Sequence, residues 1–562
     1  MLLVIIAISC ANTAPLGGGP KDVSPPVLQS CDPPDNSVNF SDDRIFFNFD
    51  EYIQMKNAQQ KLLISPPMQN PPELREKNRM LTVVFKSVPE PNTTYTLNFA
   101  DGIADLTEGN AIQQFIYTFS TGPRADSLKV SGRVINSFTL EPEKNVSVFL
   151  YSEKSDSLPY KATPYYVTRT DALGHFRFIN MKESSYTIVA INDKNNNYKF
   201  DPPDETIGFL SDEIIPYVTT KTDTAVTDSL PPQIITVFGP DTLTIFSFTD
   251  QIFGQKIKKA NRLSAHKAEI LFSKESPFKP SVKCIFPDNS EWVHHYSLKN
   301  DSLILWAKDT VSYSESDTLK FILNYGYDSL GCIINLSDTV TINPYNPPKK
   351  IMAVNSPVLS FSAGSGKTHP LSVLRITSLS PVKQFDSLKI TLSKMDADSQ
   401  YFPVKILLRP DTLNPCRILM SAVLEPESQY RLNVLPGFIF PVQHNTNDSM
   451  EWNFSVNAAE TYGNLKVTVE NAPEEAVFLL TDEKGNPRYT WKNDTVKTFS
   501  YLLPGKFRLM LFVDGNKNGK WDTGRYLAAK QPEKVIRYDK DVSIRANWDL
   551  EVIWTIKEEV NE

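Results

Sequence analysis

Apolar and polar residues alternate along almost the whole chain, and this period of two is what most narrows the possible folds. Ile45, Phe47 and Phe49 share one face of RIFFNFDEY, Leu81, Val83 and Phe85 one face of MLTVVFK, and Tyr95, Leu97 and Phe99 one face of TYTLNFA. The pattern returns at Val146, Val148 and Leu150, at Phe176 and Phe178, and at Leu465, Val467 and Val469. Successive side chains of a strand point to opposite faces, so β-branched and aromatic residues at this spacing predict half-buried strands. Clusters of Pro, Asn, Asp and Gly (PPDNS, EPNT, DALG, DEKGN) break the strands at short intervals, the rhythm of antiparallel sandwiches. The chain has 41 prolines against 22 glycines in 562 residues, a balance that disfavours helices. Two short helices are expected, near 57–60 and near 255–270. The fold class is therefore all-β, tandem antiparallel β-sandwich domains in an elongated array.

Proline-rich joints place most boundaries. The expected blocks are residues 1–24 (signal and flexible tether), 25–123, 124–236, 237–346, 347–458 and 459–562. Each block after the tether has the usual size of one sandwich. The net charge of −7 is spread along the chain without a basic block, which argues against nucleic acid as a partner.

The first ten residues, MLLVIIAISC, hold an apolar run from Leu2 to Ile8. It is far shorter than the roughly 20 residues of a membrane span and has the character of a secretion signal. Ala7-Ile8-Ser9-Cys10 resembles a bacterial lipobox, which implies that Cys10 is lipidated and becomes the new N-terminus. Ala7 stands where that pattern prefers leucine, and no Lys or Arg precedes the run. The following segment is rich in Gly and Pro (PLGGGPKDVS) and suits a tether. Ala11-Asn12-Thr13 lacks the acidic cluster associated with surface export in such lipoproteins, so the outer membrane's periplasmic face is expected rather than the cell surface.

Residues 25–122 read PPVLQSCDPPDNSVNF, then FNFDEYIQM, then YTLNFADGIADLTEGN and FIYTFSTG. This resembles the bacterial Ig-like domain first described in S-layer proteins. Phe49-Asp50-Glu51, Gly102-Ile103-Ala104-Asp105, Glu108-Gly109-Asn110 and Phe119-Ser120-Thr121-Gly122 stand at its typical motifs. With the GGPKDVSPP opening, the chain is similar to the Ig-like-domain lipoproteins of one Gram-negative phylum. The resemblance implies a β-sandwich in the cell envelope and no catalytic residues. Residues 127–210, with Thr170-Asp171-Ala172-Leu173-Gly174-His175-Phe176 and a closing YTIVA strand, resemble the prealbumin-like or carboxypeptidase-regulatory-like sandwich, usually a spacer or stabiliser.

Two segments align without gaps, Tyr186–Asp201 and Phe507–Asp522. Both show an apolar strand, Asp-x-Asn-x-Asn, an aromatic residue and a second Asp. The shared spacing marks residues 459–550 as a second copy of the regulatory-like sandwich. Calcium takes six to eight oxygens, in EF-hand loops from positions 1, 3, 5, 7, 9 and 12 with glycine at 6. The first loop offers Asp193, Asn195, Asn197, the Lys199 carbonyl, Asp201 and Asp204, but has Tyr198 at the turning position. The second offers Asp514, Asn516, Asn518, the Lys520 carbonyl and Asp522 with Gly519 at the turn, but has Arg525 at the last position. A Ca2+ site and a plain polar hairpin both fit, since Asn and Asp tolerate left-handed backbone and bond their own main chain.

Cys31, Cys284, Cys332 and Cys416 form no CxxC pair, and Cys284 with Cys332 is one possible disulfide, two isolated thiols the other. No HExxH or GxSxG occurs. Gly364–Pro370 (GSGKTHP) lacks the first glycine of a phosphate loop, having Phe361 there, and reads as a surface turn. His294 and His295 are strand neighbours that face opposite ways. The carboxylate pairs Asp204-Glu205 and Glu474-Glu475 read as solvated turns. Asp-Ser/Thr-aliphatic triplets at Ser127, Ser157, Ser229, Thr242, Ser302, Thr318, Ser329, Ser387 and Thr412 are similar to an O-glycosylation sequon of the same phylum's envelope proteins, and also suit turns entering strands. Two functions follow. One is a non-catalytic envelope lipoprotein scaffold meeting other envelope proteins. The other is a glycan-binding lipoprotein using Trp292, Trp306, Trp452 or Trp491 as sugar platforms, although core packing explains a strand tryptophan equally well.

Overall fold

The computed structural model describes residues 21–202, 204–223, 233–250, 254–287, 291–308, 318–329, 332–345, 359–443 and 445–557. The alternation is realised as strands throughout. Among the described residues no helix is long and apolar enough to cross a membrane. The chain divides into two units, 1–251 with 522–535, and 252–521 with 536–562.

The first unit begins with a sandwich whose larger sheet runs in the order 28–32, 44–49, 80–84, 73–77, facing the sheet 63–65, 94–98, 116–120. Phe47, Phe49, Leu81, Val83, Leu97 and Phe119 meet inside and are almost wholly buried. The short helix Ala58–Lys61 forms at the expected NAQQ.

The second sandwich packs the sheet 175–181, 128–136, 243–247 against the sheet 166–169, 147–151, 187–191, 207–209. Its last strand, Leu243–Ser247, lies parallel to Leu128–Asn136, from Gly132 opposite Leu243 to Asn136 opposite Ser247. The joint expected at 236 is corrected by this pairing: residue 236 sits inside the strand Gln233–Gly239, and the sandwich continues to Ser247. Leu63 of the first sandwich is buried together with Phe149, Val189, Ile191 and Phe209 of the second. Residues 522–535 pack here too: the Tyr526 ring lies 5.3 Å from that of Phe209, and Gln531 Nε2 donates to the Phe209 carbonyl at 2.9 Å.

The second unit holds three sandwiches. The first of them pairs 257–264, 267–272, 302–307, 292–296 in one sheet and 281–286, 319–329, 332–342 in the other. The helix expected near 255–270 is thus a β-hairpin. Ala268, Ile270 and Phe272 are buried at every second position, and that core contact overrides the helix-forming composition of the segment. Cys284 is a free thiol whose Sγ donates to the Phe286 carbonyl at 3.4 Å. It registers opposite Phe321, whereas Cys332 registers opposite Ser329 on the same strand. Eight residues at about 3.3 Å each separate the two levels, far beyond the roughly 7 Å that a disulfide spans between Cα atoms.

The next sandwich combines the sheets 360–361, 374–377, 417–421, 407–410 and 367–368, 450–456, 429–434, 390–395, 401–404. The last repeats the plan of 128–247. Its strand Gly463–Glu470 has an antiparallel neighbour, Val496–Leu502, and a parallel one, Asp549–Thr555, as Leu128–Asn136 has His175–Met181 and Leu243–Ser247. Opposite them, Ala476–Asp482 lies between Pro487–Lys492 and Gly505–Val513, as Ser147–Tyr151 lies between Tyr166–Arg169 and Thr187–Ile191.

Candidate functional site

The repeated loops follow equivalent strands and close in the same way. In the first, Asp193 is only 9% exposed. Its Oδ1 accepts from the Asn197 amide at 3.2 Å and its Oδ2 from the Tyr198 amide at 2.9 Å. Asn195 Oδ1 accepts from the Asn197 amide, and Asn197 Oδ1 from the Lys199 amide. In the second loop Asp514 accepts from the Asn518 and Gly519 amides at 3.0 and 2.8 Å. Asn516 and Asn518 accept from the Asn518 and Lys520 amides. Asn196 and Tyr198 are left-handed at φ 57° and 60°, and Lys517 and Gly519 match them at 60° and 80°. The first loop therefore holds a tyrosine in a backbone conformation that glycine adopts without strain.

The loops differ in charge. Lys492 Nζ lies 2.6 Å from Asp514 Oδ2. Burial works against ionisation of Asp514, but the Lys492 ammonium and the Gly519 and Asn518 amides outweigh it and hold its pKa below the ordinary value. The first loop has a buried carboxylate that sequence reasoning missed. Glu205, read as part of a solvated turn, is 3% exposed and accepts from the Lys194 and Asp201 amides at 3.0 and 2.9 Å. Burial, reinforced by Asp193 and Asp201, raises its pKa despite those amides. Asp204, the expected twelfth-position ligand, is exposed. In the C-terminal copy the corresponding acceptor is Glu533, which takes the Asp522 amide at 3.0 Å. The sequence carried a signal for it, a Glu after the closing Asp in both copies. In the second copy an insertion separates the two and hides the match.

The side-chain amides complete the first loop. Asn195 and Asn197 both direct their Nδ2 donors at Asp201 Oδ2, at 2.8 and 2.7 Å. Their Oδ1 atoms accept the Asn197 and Lys199 amides, so the hairpin closes on its own side-chain and backbone hydrogen bonds. Among the described residues no three His, Cys, Asp or Glu side chains converge as in a metal site.

The remaining candidates separate clearly. Cys10 lies outside the described residues. Trp292, Trp306 and Trp491 are 6–8% exposed, and Trp452 packs against Phe361 at the edge of its core. Trp292 and Trp491 belong to their cores, whereas Trp306 lies on the strand face opposite Leu303, Leu305 and Ala307 and is covered by Lys267, whose Nζ stands 4.2 Å over its ring. The tryptophan that does reach solvent is Trp548, 62% exposed with Arg545 over its ring. His294 bonds the Tyr296 hydroxyl on one face of its strand while His295 turns to the other. Gly364–Thr368 forms a turn into a two-residue strand parallel to Ser455 and Val456, without a following helix. Of the Asp-Ser/Thr triplets, Ser127, Ser157, Thr242, Ser387 and Thr412 are exposed, Ser302 and Thr318 are half-buried, and Ser229 lies outside the described residues.

Residues 22–121 match the model of a family described as the bacterial Ig-like domain, which bears out the resemblance read from that block's motifs. No curated protein matches the chain. Among solved structures the chain is similar to BcpA, the major pilin subunit of Bacillus cereus, at 8% identity over 77% of this chain and 99% of that one, with a TM-score of 0.13. It is also similar to surface layer protein SbsC, domains 1–6, at 10% identity over 92% and 66% of the two chains, with a TM-score of 0.13. The ICAM-5 D1–D4 ectodomain fragment matches at 9% identity over 76% and 98%, with a TM-score of 0.11.

Proposed function

We propose that this protein is a non-catalytic scaffold of the bacterial cell envelope. It is held through lipid on Cys10 at the outer membrane, on the periplasmic face, and presents its sandwiches to other envelope proteins. The observation that carries the reading is the use made of polar side chains where neighbouring sandwiches meet. In the first unit Asn180 Nδ2 donates to the hydroxyls of Thr96 and Thr118 at 3.1 and 3.0 Å, and Lys182 Nζ to the Asn92 carbonyl at 2.7 Å. In the second unit Gln443, 5% exposed, donates to the His266 and Ala307 carbonyls at 3.1 and 2.9 Å. His369 Nε2 meets the Tyr501 carbonyl at 2.8 Å, with its ring edge-on to Tyr462. A buried polar group is unfavourable unless it is hydrogen-bonded. That argument applies in full to Gln443, while the Asn180 and His369 bonds are partly buried and the Lys182 bond is exposed. Flexible linkers would not need them, and a scaffold of set geometry does.

The test is fractionation of cells making the wild type and Cys10→Ala. The wild type is expected in the membrane fraction carrying acyl chains, and the variant in the soluble fraction, because among the described residues no helix is long and apolar enough to cross a membrane. A variant that stays with the membrane, beside a wild type without lipid, refutes the anchor. Protease added to intact cells is expected to spare the protein; digestion would place it on the cell surface.

A further inference from the structure

A cleft of about 1070 Å³ opens between the first and second sandwiches, inside the first unit. Its floor is the outer face of the sheet 175–181, 128–136, 243–247. Alternation places Lys129, Ser131 and Arg133 on that face, with Val130 and Val134 turned into the core. Arg177 registers opposite Ser131, and His175 opposite Arg133. Small Ser131 thus sits among cations. Arg169 joins them from the neighbouring sheet.

Positive charge is in excess here, with Lys129, Arg133, Arg169 and Arg177 against Asp35, Asp171 and Asp241. Among the described residues none of Lys129, Arg133, Arg169 and Arg177 forms an ion pair, in a chain whose net charge is −7. Arg133 donates Nε to Thr244 Oγ1 at 3.2 Å, and Lys129 Nζ stands 4.7 Å over the Phe238 ring. Arg169 reaches Asn196 Oδ1, while its Nε is buried without a hydrogen-bond partner. Three carboxylates also line the cleft: Asp241, which is exposed, Asp171, whose Oδ2 lies 3.8 Å from His175 Nδ1, and Asp35. Asp35 accepts from the Thr118 amide at 2.8 Å, and Asp171 from the Leu173 and His175 amides at 2.8 and 2.9 Å. Apart from Asp35, the facing wall is uncharged and rich in hydroxyls and carboxamides: Ser65, Thr96, Asn98, Gln114 and Thr118.

We propose that this cleft binds an acidic glycan. Arginine forks match carboxylate or phosphate oxygens in two parallel hydrogen bonds. The opposite wall offers donors and acceptors suited to the sugar hydroxyls that accompany such groups. Single exposed ion pairs are weak, so the ligand is a linear polymer whose successive acidic groups meet Arg133, Arg177 and Lys129 together. This site is separate from the buried tryptophans and does not depend on the lipid anchor.

The experiment is a calorimetric titration of the full-length protein with oligogalacturonate, a phosphorylated oligomannose, maltohexaose and polyglutamate. Binding of either acidic oligosaccharide, weakening as salt rises, with none of maltohexaose or polyglutamate, supports the proposal; the tighter of the two identifies carboxylate or phosphate. Arg133→Gln with Arg177→Gln should weaken that binding by about tenfold or more, through loss of two charge-assisted contacts. Both side chains are exposed, so an unchanged melting curve checks that the variant is folded. No binding of either acidic oligosaccharide, equal binding of the uncharged one, equal binding of polyglutamate, or a folded variant that binds like the wild type would each overturn the proposal.

Discussion

Asp193→Ala removes both acceptors that close the first repeated loop. The carboxylate takes two backbone amides, at 3.2 and 2.9 Å, from a nearly buried position. A hydrogen bond to a charged group contributes about 1.5–3 kcal/mol net. One bond is long and Asn195 and Asn197 face solvent, so the low end applies and the pair is expected to contribute about 2–4 kcal/mol. For a cooperative unit of about 150–250 residues each kcal/mol moves the transition by roughly 2–4 °C. The measurement is differential scanning calorimetry of the full-length protein and the variant, each in chelator and in millimolar calcium. The amide contacts predict the same loss in both buffers. A loss below about 0.5 kcal/mol in chelator would refute the reasoning, because surface changes without a structural role stay within that range. A stabilisation of the wild type by calcium that Asp193→Ala abolishes would show instead that a cation closes the loop by mass action. Asp514→Ala is the companion. Its Lys492 partner is about two-fifths exposed and can turn to water, so the ion pair adds little to the two amides.

The loops are also expected to answer pH in opposite senses. Glu205 has a folded pKa above its ordinary 4.5, so its contribution is complete below that value and is lost as pH rises through the folded pKa. Asp514 has a folded pKa below its ordinary 3.8, so its contribution is complete above that value and is lost as pH falls through the folded pKa. Melting curves of Glu205→Gln and Asp514→Asn across acidic pH should each lack one of these slopes; a variant with the wild-type slope contradicts the assignment. Gly132→Ala would put its Cβ 2.4 Å from the Leu243 carbonyl oxygen and 2.7 Å from Leu243 Cβ, so urea titration should show a loss of about 1–3 kcal/mol or more. Gly366→Ala meets only the Ala363 carbonyl, at 3.6 Å, and should be nearly neutral.

The sequence was most legible where a side chain's face is set by local period. Phe47, Val83 and Leu97 could be placed in a core from alternation alone, because a half-buried strand leaves no other arrangement. The first module's motifs were legible for the same local reason, since each is a turn with fixed residues. Non-local pairing was not. Nothing in Leu243–Ser247 says that it lies beside Leu128–Asn136, more than a hundred residues earlier, and the boundary at 236 failed there. The repeat held the missing information, because the C-terminal copy ends on an equivalent strand, but it was aligned over one strand and loop only. Trp292 and Trp491 show a different limit: composition reports an aromatic side chain and not which side of the sheet it occupies. Glu205 was misread because adjacent carboxylates look solvated until the backbone amides that reach one of them are known.

The parallel pairing of first and last strands has a mechanical consequence. The chain enters the second sandwich along Leu128–Asn136 and leaves it along Leu243–Ser247, running in the same direction. Tension carried along the backbone therefore slides one strand past the other and loads the bonds between them together. An antiparallel hairpin pulled at its open end breaks its bonds one after another. For a chain held near its N-terminus, a pull carried along the backbone from Ser247 onward loads this shear joint. Five residue pairs carry it here, and seven, from Asn464 opposite Asp549 to Glu470 opposite Thr555, form the same joint in the C-terminal copy. Pair for pair, the joint in the second sandwich should therefore yield at a lower shear load than the one in the C-terminal copy.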